Sequence, residues 1–175
     1  MTLISIDVEA DGPCPGLYSM VSFGAVIVEE GLNRTFYGKV KPITDVWIPE
    51  ALAVSNTTRE EHLAYDNPGE VMESFALWLK ENIKGSATMV TDNPAFDWQW
   101  VNYYFYSYYG SNPLGFSARR IGDIYCGLKR DMTVNKEWKK KYRDNKNYPH
   151  NHHPVSDAKG NASALLRFSE LGLNI

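Results

Sequence analysis

Only two cysteines, Cys14 and Cys126, occur in the 175 residues, and they form no C-x-x-C pair. They are too few for a disulfide framework, so they read as structural and the expected setting is a reducing cytoplasm. No apolar run approaches the roughly 18 residues of a membrane span. The opening MTLISIDVEAD has no basic stretch and meets an acid at its seventh residue, which predicts neither export nor membrane residence. Positive charge is also short: 18 Lys/Arg face 21 Asp/Glu, a net charge of −3. That balance argues against a protein that grips nucleic acid by bulk electrostatics over its whole surface, so any polyanion must be held locally. No internal repeat or low-complexity tract is present. The length allows one domain with a substantial core, and residues 1–175 are read as one.

What the chain has in quantity is aromatic, 13% of residues including 11 Tyr. Apolar runs punctuated by Gly and Pro organise the rest. TLISID is a strand that ends at acids and then at the loop ADGPCPG. MVSFGAVIVEEG and NRTFYGKVKP, separated by Gly31-Leu32-Asn33, predict an antiparallel hairpin. NTTREEHL carries capping-type spacing and opens a short helix. PGEVMESFALWLKENIKG predicts an amphipathic helix with apolar Val71, Phe75, Leu77, Trp78, Leu79 and Ile83, stopped by Gly85. ATMVTDN reads as a buried strand, and PAFDWQWVNYYFYSYYG as an aromatic helix with Pro in its first turn. ARRIGDIYCGLKRD predicts a short strand running into a helix. Residues 130–150 are polar and poorly periodic, and SDAKGNASALLRFSELG predicts a last helix capped by Ser156 with Gly160 as its weak point. The sum is an α/β domain with a central mixed sheet.

Acids recur at the ends of these elements. Asp7 and Glu9, two apart on a strand, point from one face of the sheet. Two carboxylates held that close repel, and a hard divalent cation with oxygen ligands, Mg²⁺ or Mn²⁺, relieves the repulsion. Asp97 lies in the first turns of the next helix, with Asp92 as a competitor whose simpler role is a turn acid before Asn93-Pro94. Asp157 sits in the first turn of the last helix. Just ahead of it, HNHHPVSDA holds three of the four histidines in the chain.

The ordered set, SIDVEADG, then DNPAFDWQWV, then HHPVSDAKGNA, resembles the DEDD superfamily of 3′-to-5′ exonucleases, in its DEDDh branch, over nearly the whole chain. The resemblance implies an RNase H-like fold with a five-stranded mixed sheet flanked by helices, and phosphodiester hydrolysis with two divalent cations that releases nucleoside 5′-monophosphates. Asp7 would bridge both ions, Glu9 and Asp157 would complete one site, and Asp97 would hold the second. His152, with four residues between it and Asp157 as in the branch's spacing, would be the general base. His153 has three residues between, the sister branch's tyrosine spacing, and Pro154 restricts it to an extended backbone. Substrate contacts carry over to the backbone of Ala10, to Asp11 and Gly12, to Asn93 and His153, and by the position of the family's loops to Leu17 and Trp47. Ala10 stands where many relatives have Thr, and Asp92-Asn93 where many have His-Asn.

The compact form and tandem histidines also resemble small bacterial and phage exoribonucleases related to polyadenylate-specific RNase AS. That likeness implies single-stranded RNA as substrate and a homodimer, in which the basic run KEWKKKYRDNK at 136–146, six Lys/Arg against two acids, approaches a partner's site. A DNA exonuclease of the same chemistry is the first alternative. A silent nucleic-acid-binding module and a zinc site built from His150, His152 and His153 are the others. Half of the aromatics from Trp98 to Tyr109 are expected in the core and the rest are candidate base platforms.

Overall fold

A computed structural model describes residues 1–175. The first strand, β1 (Thr2–Ala10), alternates in character: Ile4, Ile6, Val8 and Ala10 point into one apolar layer, while Ser5, Asp7 and Glu9 face the other side. It pairs antiparallel with β2 (Met20–Ile27), which pairs antiparallel with β3 (Thr35–Lys39). The expected hairpin forms, and its turn is left-handed at Gly31 (φ 84°) and at Leu32 (φ 49°), whose buried side chain offsets the strain. On the other flank β1 pairs parallel with β4 (Ala87–Thr91), and β4 with β5 (Ala118–Arg120). The five-stranded order β3-β2-β1-β4-β5 is the mixed sheet of an RNase H-like fold, with β1 at its centre.

Helices cover both faces. Between β3 and β4 the chain makes α1 (Pro49–Val54), α2 (Arg59–Leu63), with Thr58 and Glu61 forming a capping box, and α3 (Pro68–Asn82). The apolar stripe of α3 is Val71, Met72, Phe75, Ala76 and Leu79; Leu77, expected in it, is 53% exposed because at about 3.6 residues per turn it falls nearly opposite the centre of the stripe. With α4 (Pro94–Tyr108), α3 packs on the face of Ile4, Ile6 and Val8, where Phe23, Phe36, Phe75 and Trp78 stack on one another. Of the aromatics on α4, Trp100, Tyr104 and Phe105 are core, whereas Tyr106, Tyr108 and Tyr109 are exposed.

The opposite face carries α5 (Ile121–Lys129) and α7 (Pro154–Arg167), joined by residues 130–153 with a single turn of 3-10 helix and the short α6 (Trp138–Lys141). That polar segment is not loose. Trp138 and Tyr142 are buried against Tyr125 and Phe168 in a second core. Burial of each such side chain contributes about 1.5–3 kcal/mol, enough to fix the segment.

The cap of α7 is His153, with Pro154 as the first helical residue; Ser156 instead donates its hydroxyl to the Pro149 carbonyl, 3.0 Å away. Gly24 of β2 faces the start of α7, and a Cβ there would lie 2.4 Å from the Pro154 carbonyl carbon, so only glycine lets this helix begin so close to the sheet. No helix is long and apolar enough to cross a membrane.

Candidate active site

Three elements deliver four acids to one point above the carboxyl end of β1. The strand supplies Asp7 and Glu9, ending at a β-bulge between Glu9 and Ala10 that re-aims the chain into the following loop. Asp97, in the first turn of α4, is fixed by the Val8 N–H, which donates to Oδ1 at 3.0 Å, and by the Thr91 hydroxyl on Oδ2. Asp157, in the first turn of α7, accepts the His152 backbone N–H on Oδ2 at 3.0 Å. One carboxylate oxygen from each of Asp7, Glu9 and Asp157 lies within 4.8 Å of the others. All are oxygen donors on a rigid floor, a set that suits a hard divalent cation.

The electrostatics agree with that reading. Loss of hydration, then the charges of Asp97, Asp157 and Glu9, push the Asp7 carboxyl well above the usual range. Burial and the neighbouring Asp157 and Asp97 raise Glu9 from its ordinary 4.5 to about 8. Asp97 rises to about 7, burial outweighing its hydrogen bonds from Thr91 and Val8. Each carboxyl resists ionisation because too little positive charge stands nearby, and a bound divalent cation would supply it.

A stability prediction follows from the sign of these shifts. The folded chain keeps protons on Glu9 and Asp97 at pH values where the unfolded chain has released them, so it binds more protons across the window up to about 8. Stability in chelator should therefore fall as pH rises from about 4.5 to about 8. Saturating Mg²⁺ should flatten that slope. Melting curves at stepped pH with and without metal check it, and a metal-free melting temperature that climbs toward pH 8 would refute it.

Asp7, Glu9 and Asp97 floor a cavity of about 610 Å³ whose wall is largely apolar: Ala10, Gly12, Ile48, Ala51, Val54 and Phe96. His150 and His152 stand at its mouth with Asp92 and Asn93. The His152 backbone is left-handed (φ 59°), an uncommon conformation for a non-glycine residue, and its Nδ1 lies 3.5 Å from Glu9 Oε1. His150 Nδ1 lies 2.9 Å from Asp157 Oδ1, which draws it to the acid cluster as well.

Other expected contacts lie elsewhere. His153 is extended, as Pro154 requires, and turns away to pack on Tyr37 at 4.9 Å between ring centroids, outside the cavity. The three histidines therefore form no common metal set; His150 and His152 converge with Asp157 instead. Asp11 is fully buried. It accepts the Ser19 N–H at 2.6 Å and Arg59 Nη1 at 3.1 Å beside His62, whose imidazole burial holds down to about 4 and hence neutral, so Asp11 braces the loop and cannot reach substrate. Trp47 lies under the Arg59 guanidinium, 5.4 Å away, and Leu17 is 54% exposed; neither lines the cavity, whose wall comes from the neighbouring Ile48 and α1.

Two residues of the basic run are pinned to this site within their own chain. Lys139 pairs with Asp92, and Arg143 with Asp157. Sequence reasoning missed Arg143, although Trp138 and Tyr142, four apart, carried the signal of a buried helical turn inside the charged stretch.

No family model matches the chain. An Escherichia coli protein named 3′-5′ DNA exonuclease Cap18 is 38% identical over 128 residues, spanning 71% of this chain and 68% of that protein. This chain belongs to the DEDDh 3′-5′ exonucleases. The exonuclease also matches the solved nuclease domain of 3′hExo bound to rAMP (TM-score 0.77, 17% identity, 98% of this chain and 92% of that one). It further matches Escherichia coli Exonuclease I in complex with a dA16 oligonucleotide (TM-score 0.69, 15% identity), covering 97% of this chain and 41% of that one. At such identities the two structures speak to the exonuclease's fold, and the Cap18 relative to its class of reaction, hydrolysis of phosphodiester bonds.

Proposed function

We propose that the chain removes nucleotides one at a time from the 3′ end of single-stranded nucleic acid, releasing nucleoside 5′-monophosphates, with DNA accepted at least as readily as RNA. The observation that carries this reading is the convergence of Asp7, Glu9 and Asp157 beneath an apolar-walled cavity that Asp7, Glu9 and Asp97 line, with two histidines at its mouth. Bare acids would repel a phosphate. A pair of Mg²⁺ or Mn²⁺ ions, when bound, supplies the positive charge and Lewis acidity that the hydrolysis needs. Asp7 would be shared between the ions, Glu9 and Asp157 would complete one site and Asp97 the other. His152 takes the proton of the attacking water, its ring set over the site by the Asp157 bond to its backbone. Ala10, Gly12 and Ile48 offer flat apolar contact to the sugar and base of the terminal nucleotide.

Asn93 brings the single amide to a cavity lining that holds no serine, threonine, tyrosine or glutamine, so a 2′-hydroxyl would meet no dedicated set of partners there. That lining, and the name of the Cap18 relative, support DNA as a substrate. An RNA preference has as its support the likeness to the small exoribonucleases in the third motif.

Matched 5′-labelled DNA and RNA oligonucleotides of one sequence, incubated with Mg²⁺, with Mn²⁺ and with chelator, separate the readings. The expected result is a metal-dependent ladder shortening from the 3′ end, at least as fast on DNA. A ladder more than tenfold faster on RNA would overturn the sugar assignment. No ladder on either would overturn the proposed use of the site.

A further inference from the structure

A cluster of four carboxylates is hard to fold, because in the absence of counter-ions each acid must be desolvated beside the others. The chain contains one permanent remedy. Arg143 follows Tyr142 out of the second core and carries its guanidinium beneath α7, where its side chain is 6% exposed. Nη2 donates to Asp157 Oδ1 at 2.6 Å and Nη1 lies 3.5 Å from Asn161 Oδ1. Room for it is made by Gly160, one turn along α7: a Cβ there would lie 2.5 Å from Arg143 Nε. A glycine inside a helix costs about 1 kcal/mol relative to alanine, a cost that the space for this arginine explains. On the other flank Lys139, from the same segment, neutralises Asp92.

We propose that Arg143 is the resident counter-cation of the acid cluster, a positioning residue that holds Asp157 by Oδ1 and lets the carboxylates assemble before any metal arrives. A guanidinium is charged at every working pH and forks onto a carboxylate, so it fixes the side chain as well as its charge. Because the pair is buried, its attraction is little screened by salt. With Oδ1 held, Asp157 meets a metal ion in one orientation rather than several. The inference rests on the reading of Asp7, Glu9 and Asp157 as metal-holding.

The test is the gain in melting temperature on passing from chelator to saturating Mg²⁺, for the wild-type chain, Arg143→Met and Arg143→Lys. Without the resident charge the metal is the sole counter-ion, so Arg143→Met should melt lower in chelator. Its gain on adding metal should exceed the wild-type gain by roughly 4 °C or more. Arg143→Lys, which keeps the charge, should return most of the difference. In the same variants kcat should fall about tenfold or more for Met, with KM within about twofold. Equal gains in wild type and Arg143→Met would overturn the proposal, since an arginine that only fills space is missed equally with and without metal. So would an Arg143→Met chain that stays unfolded at saturating metal. A wild-type chain with no gain at all would overturn the metal reading of the acids, and the proposal with it.

Discussion

Asp7→Asn is expected to lose on the order of 10³-fold or more in turnover on any oligonucleotide, and yet to melt higher than the parent chain in chelator. Both effects come from one position. Asp7 is at the centre of the sheet, where burial, and then the charges of Asp97, Asp157 and Glu9, raise its carboxyl out of the normal range. An ionised Asp7 is therefore a cost to the metal-free fold, tolerated for what it can bind. Asparagine keeps the shape and one acceptor oxygen while removing the charge that two cations would share. Saturating Mg²⁺ should stabilise the variant less than the wild type, so the two melting temperatures converge or cross when metal is added. A variant that loses activity and also melts lower in chelator would make Asp7 a structural anchor. One that keeps activity would remove it from the site's chemistry.

The second large effect is expected at His152. His152→Ala should cut turnover by about two orders of magnitude or more while the metal-induced rise in melting temperature survives, because the ring moves a proton and holds no essential ion. His152→Asn is the sharper variant: asparagine tolerates the left-handed backbone at this position but has no base to offer. His150→Ala is the comparison, and the expected loss there is within about tenfold, since its nearest partner is the already paired Asp157 rather than a free corner of the cavity. Near-normal activity in both His152 variants would sink the assignment. A greater loss at His150 than at His152 would transfer the role to His150.

Much of this site was legible before any coordinates because its residues sit where local rules place them. An apolar strand ending in acids, Pro at the start of α4, and Pro154 just after the histidines each fix a backbone position, and Asp7, Glu9, Asp97 and Asp157 are reached from there by counting. His153 was legible only in its backbone: Pro154 holds it extended as expected, but its ring packs on Tyr37 and does not line the cavity where a substrate contact was expected. The hairpin was readable for the same reason, from two extended apolar runs on either side of a Gly-Leu-Asn turn.

What escaped was long-range. Asp11 looks like a motif neighbour of Glu9, but the burial that makes it a brace depends on Arg59 and His62, about fifty residues away. Arg143 looks like one charge in a solvated run, and its pairing depends on two aromatic residues driving the segment into the core. Ser156 was a plausible cap until Pro149, on the preceding loop, claimed its hydroxyl. In each case a contact across the fold overrode a sound local preference.

The placement of α7 on β1 and β2 also matters for how such a protein is made. The β1–β2 part of the sheet's second face stays uncovered until residues near 154 to 167 leave the ribosome, because α7 is the helix that packs on β1 and β2 there. Up to that moment a nascent chain holds three of the four acids but neither the histidines nor Asp157. Closing the cluster joins residues 7 and 157, a contact of very long sequence separation that forms late in folding. Until α7 is in place the acid cluster lacks Asp157 and the site is incomplete. A message truncated before the last helix yields a product with half its core exposed and no working site, fit for proteolysis and harmless to the nucleic acid around it.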